Sequence, residues 1–579
     1  MGFRTQSEGL LSEDSGFGKI QNWKLLNAGA HLILIGLLIL SGCAKQGYPP
    51  GGPEDRLGPG VVSSHPPPQS IAVGTKVRPW IRLTEYPQAA SVEGSIFISP
   101  EPEEGYSVKV RGKRIEIRFR EALPENRTVV ITFGSGLKDL RGNQMEESFI
   151  LAFSTGDSLD QGEISGRLEN RGRLEAVWIW GYPLAEFSDP DPRKDKAPFA
   201  VQPESDGEFH LAYLPPGQYR IFGVVDLRRD RLWQPETEEI AFPPQDVYAA
   251  TESPRSLNLR LGICDMDAPK LLGAQAVHRQ GLRLSFDEPV IIGAAQVVAR
   301  ARTEISDLEL PIVSVYQNPA DSAAVLITTA IQREGDTYDA RVDGISDRAG
   351  NRADSLTAEI LAATQIDTLG PRISWSQPAD GSRLIDPEAD VRIGFTEAVT
   401  LTDLPRAIHL LDSSGTAIGG RWSYPGPAWV LFDPASSLAG GSRYTIVCAG
   451  DSLRDIFGNV SPDSSVSMGF QTLDPQETGS VSGAVSQAPA DLKLVIESIG
   501  REPFSSQAAI RKDGSFHFQN VPAGDYSIWF YRDLNGNDRP DAGRLDPFTF
   551  AEPFSSGLDS LRIRPRWETE NMTLNWDQP

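Results

Sequence analysis

The chain has 579 residues, more than one hydrophobic core can organise, so about four or five domains of roughly 100 to 150 residues are expected. A net charge of -23 at pH 7, with no Lys/Arg-rich run, repels phosphate backbones and argues against nucleic acid as a partner. Cys43, Cys264 and Cys448 are too few and too far apart for a disulfide framework or a zinc site, and the 54 glycines and 44 prolines fit short strands joined by many turns.

From the N-terminus, HLILIGLLILSG (His31 to Gly42) is an apolar run preceded by Lys19 and Lys24. It is too short to cross a bilayer, which takes about 20 apolar residues, and it fits the apolar region of a secretory signal. The run ends in Leu40-Ser41-Gly42-Cys43, which resembles the lipobox of bacterial lipoproteins. The resemblance implies cleavage before Cys43 and acylation of that cysteine, giving a membrane partner through the lipid. Ala44, not Asp, follows the cysteine, so outer-membrane anchoring is expected, with the facing open. The acidic leader, with Glu8, Glu13 and Asp14, departs from the usual pattern and leaves the translation start open. Residues 1–42 are read as signal peptide, and the Pro/Gly-rich segment 43–63 as a mobile tether.

Three later segments share one plan. Each opens with an alternating strand: IRLTEYPQ with IEIRF in the first, LRLSFDEPV in the second, VRIGFTEAV in the third. Each closes with an Asp-x-x-Gly-Asn turn before a last strand, at Asp139–Asn143, Asp347–Asn351 and Asp455–Asn459. Period-two alternation with β-branched and aromatic residues predicts sandwiches of about 100 residues. The Phe-x-Glu strand end (Phe286 to Glu288, Phe395 to Glu397) and the Asp-x-x-Gly-Asn turn resemble bacterial Ig-like domains of the SbsA type; the first segment has Thr84-Glu85 instead. The recurring turn is read as a fold feature, with Asp accepting backbone N–H groups and Gly and Asn tolerating positive φ.

A second plan occurs twice. Asp206, Gly207, Phe209, His210, Pro215, Gly217 and Tyr219 match Asp513, Gly514, Phe516, His517, Pro522, Gly524 and Tyr526. This skeleton resembles the carboxypeptidase-regulatory, or transthyretin-like, sandwich, an accessory module and not a peptidase. The fold class is therefore all-β, with tandem Ig-like and transthyretin-like sandwiches. Ig-like units are expected at 64–157, 266–366 and 367–474, and transthyretin-like units at 158–265 and 475–579.

Candidate chemistry is sparse. The chain has six histidines, two of them at the matched strand positions His210 and His517, and lacks a nucleophile elbow or a zincin pair. Glu85, Glu288 and Glu397 read as polar residues where strands run out to solvent. In RDLNGNDRPDAG, Asp533, Asn535, Asn537 and Asp541 occupy positions 1, 3, 5 and 9 of a calcium-loop pattern, but Asp538 and Arg544 replace the glycine and the bidentate acid. Calcium is thus the one cofactor in view, against an Asx-rich hairpin tip. In VWIWGY, Trp178, Trp180 and Tyr182 share one strand face, either a sugar-stacking platform or core; in SIWFY, Trp529 and Tyr531 oppose Ile528 and Phe530. Both faces cannot belong to one sandwich core, so one would meet a neighbouring domain or a partner. The expected function is a non-enzymatic, lipid-anchored envelope protein built from spacer and interaction modules, with an envelope protein or glycan as partner. The alternative is a carbohydrate-binding or accessory subunit of a glycan-processing system.

Overall fold

The computed structural model describes residues 55–576 apart from 170–175, 250–255, 294–295, 302–308, 401, 403 and 501–502, so the signal peptide and Cys43 lie outside the described residues. The chain from Leu57 onward forms one compact unit, and the sandwiches all belong to it. The strand Val61–His65 includes the last three residues of the segment read as tether.

The third Ig-like unit shows the first plan. Its four-stranded antiparallel sheet has the spatial order Ile373–Gln377, Val391–Phe395, Trp429–Pro434, Gly420–Gly426. Facing it is a three-stranded sheet of Ile408–Leu411, Arg443–Ala449 and Ser465–Gln471. The same four-plus-three order recurs over 61–154 and 271–361. Alternation explains the burial: Val391, Ile393 and Phe395 enter the core with Val430, Ile446, Cys448 and Phe470, while Arg392 between them is exposed. Ile115 and Ile117 likewise point inward, and Glu116 faces out to Arg114 and Arg118.

The second plan closes differently. Its three-stranded sheet runs Glu208–Leu214, Gly162–Glu169, Ser256–Arg260, and Ser256–Arg260, the module's last strand in the chain, lies parallel to Gly162–Glu169, its first. The C-terminal copy repeats this with Ser515–Pro522, Thr478–Ser486 and Glu568–Asn575. At the Asp-Gly hairpins Gly207 and Gly514 have φ of +89° and +82°, where any Cβ would be strained. Phe209, Tyr219, Phe516 and Tyr526 fill the two cores, whereas His210 and His517 lie on the outer face beside Glu163 and Glu568.

The expectation of a ligand platform on Trp178, Trp180 and Tyr182 is corrected here. Every residue of the strand Val177–Pro183 is buried, on both faces. Val177 and Ile179 enter the sandwich core. Trp178, Trp180 and Tyr182 enter a second aromatic core with Phe97 of the first Ig-like unit, Phe222, Trp233 and Phe242, and Leu545 of the C-terminal unit; Phe548 of that unit packs against it. A stacking platform needs an open ring face, and these rings are 7%, 1% and 0% exposed.

The chain therefore doubles back. The Arg220 guanidinium lies 3.8 Å from the centre of the Phe548 ring and is held by Asp246 and Asp189. Arg260 sits over Trp529 and Phe554 at 4.4 and 4.5 Å, and Asn258 Nδ2 donates to the Phe554 carbonyl. Arg544 donates to the Gly350 carbonyl and to Asn351 Oδ1, so the last sandwich touches the middle Ig-like unit as well.

Candidate functional site

The Asp-x-x-Gly-Asn turn is built the same way three times. Asp139 Oδ1 accepts the backbone N–H groups of Arg141 and Asn143, both at 2.8 Å, and Oδ2 accepts Asn143 Nδ2 at 2.9 Å. Asp455 repeats this with Phe457 and Asn459, and Asp347 with Asn351. Burial works to raise the Asp139 carboxyl, but hydrogen bonds from Asn143, Arg141 and Gly142 outweigh it and hold it below the usual range. Gly142, Gly350 and Gly458 do adopt positive φ, at 94°, 88° and 92°. The asparagines do not; their contribution is the side chain. Asn351 Nδ2 also reaches the Asp265 carbonyl at 3.0 Å, and Asn459 Nδ2 the Asp367 carbonyl at 3.3 Å. Both acceptors lie in the segment entering the same domain, so the turn clamps the interdomain linker.

Those linker acids complete a cluster that sequence reasoning missed. Asp55, Glu85 and Asp139 bring one carboxylate oxygen each within 4.8 Å of one another, and so do Asp265, Glu288 and Asp347, and Asp367, Glu397 and Asp455. Glu85, Glu288 and Glu397 are thus not strand ends running out to solvent: each turns toward two aspartates and is partly buried. Burial raises the Glu397 carboxyl to about 8, with Asp367 and Asp455 adding to it. Glu288 is raised for the same reason, burial first and then Asp265 and Asp347. Three hard oxygens are the donor type a divalent ion takes. Asp265 and Asp367 each precede a proline by four residues, and that shared spacing was the available signal.

The proposed calcium loop is held by other means. Asp533 Oδ1 accepts the Gly536 and Asn537 amides at 2.8 and 3.0 Å, Oδ2 accepts the Asp538 amide at 3.1 Å, and Lys493 Nζ stands 3.7 Å from Oδ2. Asn535 and Asn537 turn their side-chain amides to Asp541 instead. Backbone N–H groups and a lysine therefore neutralise Asp533, and its burial does not require calcium.

The earlier module has the same loop at Asp226. Positive φ falls on Arg229 and Arg231 where the later loop has Gly536 and Asp538. In both, one buried glutamate bridges the loop ends. Glu238 accepts the Leu227 and Gln234 amides, and Glu552 accepts the Leu534 and Asp541 amides. These glutamates follow their aspartates at different distances along the chain, which hid the correspondence from the sequence.

Residues 55–155 and 367–472 match the model of the bacterial Ig-like domain. Over these two stretches the chain is similar to the bacterial Ig-like domain. The middle unit, outside both matched stretches, shares their sheet order. No curated protein sequence matches the chain. Among solved structures, the N-terminal part of the bacterial S-layer protein SbsC is similar at 14% identity and a TM-score of 0.16, over 35% of this chain and 44% of that one. Domains 1–6 of SbsC are similar at 10% identity and a TM-score of 0.16, over 83% and 66%. An L,D-transpeptidase from Mycobacterium smegmatis is similar at 16% identity and a TM-score of 0.15, over 24% and 73%. This chain thus spans less than half of the first of these structures. Among the described residues, no helix is long and apolar enough to cross a membrane.

Proposed function

We propose that this protein is a non-enzymatic envelope lipoprotein, tethered through acylated Cys43 to the outer membrane. Its Ig-like and transthyretin-like sandwiches present a fixed multi-domain body to an envelope protein. The observation that supports this reading most is the aromatic core under Trp178, Trp180 and Tyr182, where side chains of three sandwiches meet. Residues that looked chemical in the sequence serve that body: the Asp-x-x-Gly-Asn carboxylates cap their own turns, and the matched histidines lie on outer sheet faces. Binding then falls to the loops and sheet edges of that body. Cys43→Ser tests the anchor by cell fractionation: release into the soluble fraction is expected, and unchanged membrane association overturns it.

A second reading, glycan binding, keeps Trp529 alone among the aromatic candidates. That ring is half-buried and lines a cleft of about 670 Å3 between the two transthyretin-like units, together with Glu497 and Asp559. Retention on a glycan array that is lost in Trp529→Ala would favour it, and absence of retention by the wild type would end it.

A further inference from the structure

One row across the four-stranded sheet of the third Ig-like unit reads Trp375, Gly394, Trp429, Gly426, each residue directly opposite the next on neighbouring strands. Ile393, Phe395 and Val430 point into the core, so Gly394 and Trp429 beside them stand on the outer face. Directly paired residues share a face, which puts the whole row there. Both indoles lean the same way. A Cβ on Gly394 would meet Trp375 Nε1 at 2.0 Å, and one on Gly426 would meet Trp429 Nε1 at 2.7 Å. Each glycine thus lets an indole lie down on the sheet, and Gly394 is buried although it faces away from the core.

The fold does not ask for this row. Strand register places Gly273, Ser285 and Ala324 at the positions of Trp375, Gly394 and Trp429 in the second Ig-like unit, and Ser63, Arg82 and Arg114 there in the first. Neither indole belongs to the core of its unit, and both are half-buried. Among the described residues, no other ring pairs with either indole and no cation sits over one.

Both indoles line a cleft of about 660 Å3 between the second and third Ig-like units. The exposed residues Arg348, Gln377 and Arg392 border it, the last two as cross-strand partners. Among the described residues its walls hold no Asp or Glu, in a chain of net charge -23. Asp390 stands 3.8 Å from Arg392, an exposed pair of little strength. The negative face of an indole attracts the C–H groups of a pyranose ring, and a guanidinium pairs with a carboxylate through two parallel hydrogen bonds. Two strand spacings set the indoles about 10 Å apart, too far for one sugar ring to cover both. We propose that this cleft binds an acidic oligosaccharide, a chain of pyranose rings bearing carboxylates, with separate rings stacked on Trp375 and Trp429 and carboxylates paired with Arg392 and Arg348. The site is distinct from the Trp529 cleft, and it does not depend on acylation of Cys43.

The test is calorimetric titration of the full folded chain at pH 7 with the hexasaccharides of polygalacturonate, polymannuronate and hyaluronan, beside uncharged cellohexaose and the peptide hexaglutamate. Saturable binding of at least one acidic hexasaccharide is expected, at least tenfold tighter than cellohexaose or hexaglutamate. That binding should weaken at least tenfold in Trp429→Ala and in Arg392→Gln and stay unchanged in Trp529→Ala. Absence of binding by all three acidic hexasaccharides overturns the proposal, as does equal binding of cellohexaose, which removes the charge pairing, or of hexaglutamate, which reduces the site to anion attraction. Unchanged affinity in Trp429→Ala, or a loss confined to Trp529→Ala, also overturns it. The comparison among ligands uses only the wild-type protein, so a folding defect in a variant does not obscure the result.

Discussion

Glu397→Gln isolates the electrostatic load in the third Ig-like unit. With its carboxyl raised from 4.5 to about 8 by burial and by Asp367 and Asp455, the folded domain favours protonated Glu397. A group whose folded value is raised stabilises fully below its unfolded value, and the contribution is lost as pH climbs through the folded one. The wild-type domain should therefore lose stability between pH 4.5 and about 8, where the unfolded chain ionises this carboxyl freely and the folded one resists. The whole gap corresponds to a ceiling of about 5 kcal/mol, and partial solvent access of the side chain brings the expected effect down to about 2 kcal/mol. Glutamine keeps the shape without the charge. Urea unfolding followed by intrinsic fluorescence, in chelator to exclude adventitious cations, should show wild type and Glu397→Gln nearly equal at pH 5 and the variant about 2 kcal/mol more stable at pH 8. A variant that is equally stable or less stable at pH 8 would refute the reasoning.

Trp180→Ala should cost about 3 to 5 kcal/mol, because it empties a fully buried site. Limited proteolysis should then cut between sandwiches before cutting within them, since Trp180 belongs to the shared core and not to the interior of its own sandwich. Asn459→Ala removes the amide joining the Asp455 carboxylate to the Asp367 carbonyl, with an expected loss of about 1 to 3 kcal/mol in denaturant unfolding. Arg544→Ala should speed amide hydrogen exchange around Gly350 and Asn351 while leaving the matching turn at Gly458 and Asn459 unchanged.

How much was legible depended on whether a signal was local. Alternation at Ile115 and Ile117, or at Ile393 and Phe395, is a property of one strand, so it marked core positions directly. The Asp-x-x-Gly-Asn turn was legible as a repeat, and its glycine conformation followed from chirality. The asparagine was misread because its partners, Asp265 and Asp367, lie 86 and 92 residues away in sequence. Glu85, Glu288 and Glu397 were misread for the same reason: a strand end gives no sign of the carboxylates that another segment brings beside it.

The sequence by itself determined an all-β chain, its two repeated plans and the turns that join their strands, because steric preference and side-chain alternation act over a few residues. Tertiary structure decided what covers the second face of each strand. It made the last strand of the second plan parallel to the first, folded the C-terminal sandwich back onto the earlier one, and buried Trp178, Trp180 and Tyr182 in a core drawn from three sandwiches. Apolar area is buried by whichever surface reaches it, and that choice belongs to the assembled chain. The same assembly aligned Trp375 and Trp429 with Gly394 and Gly426 in one row, a juxtaposition visible only once four strands were set in register.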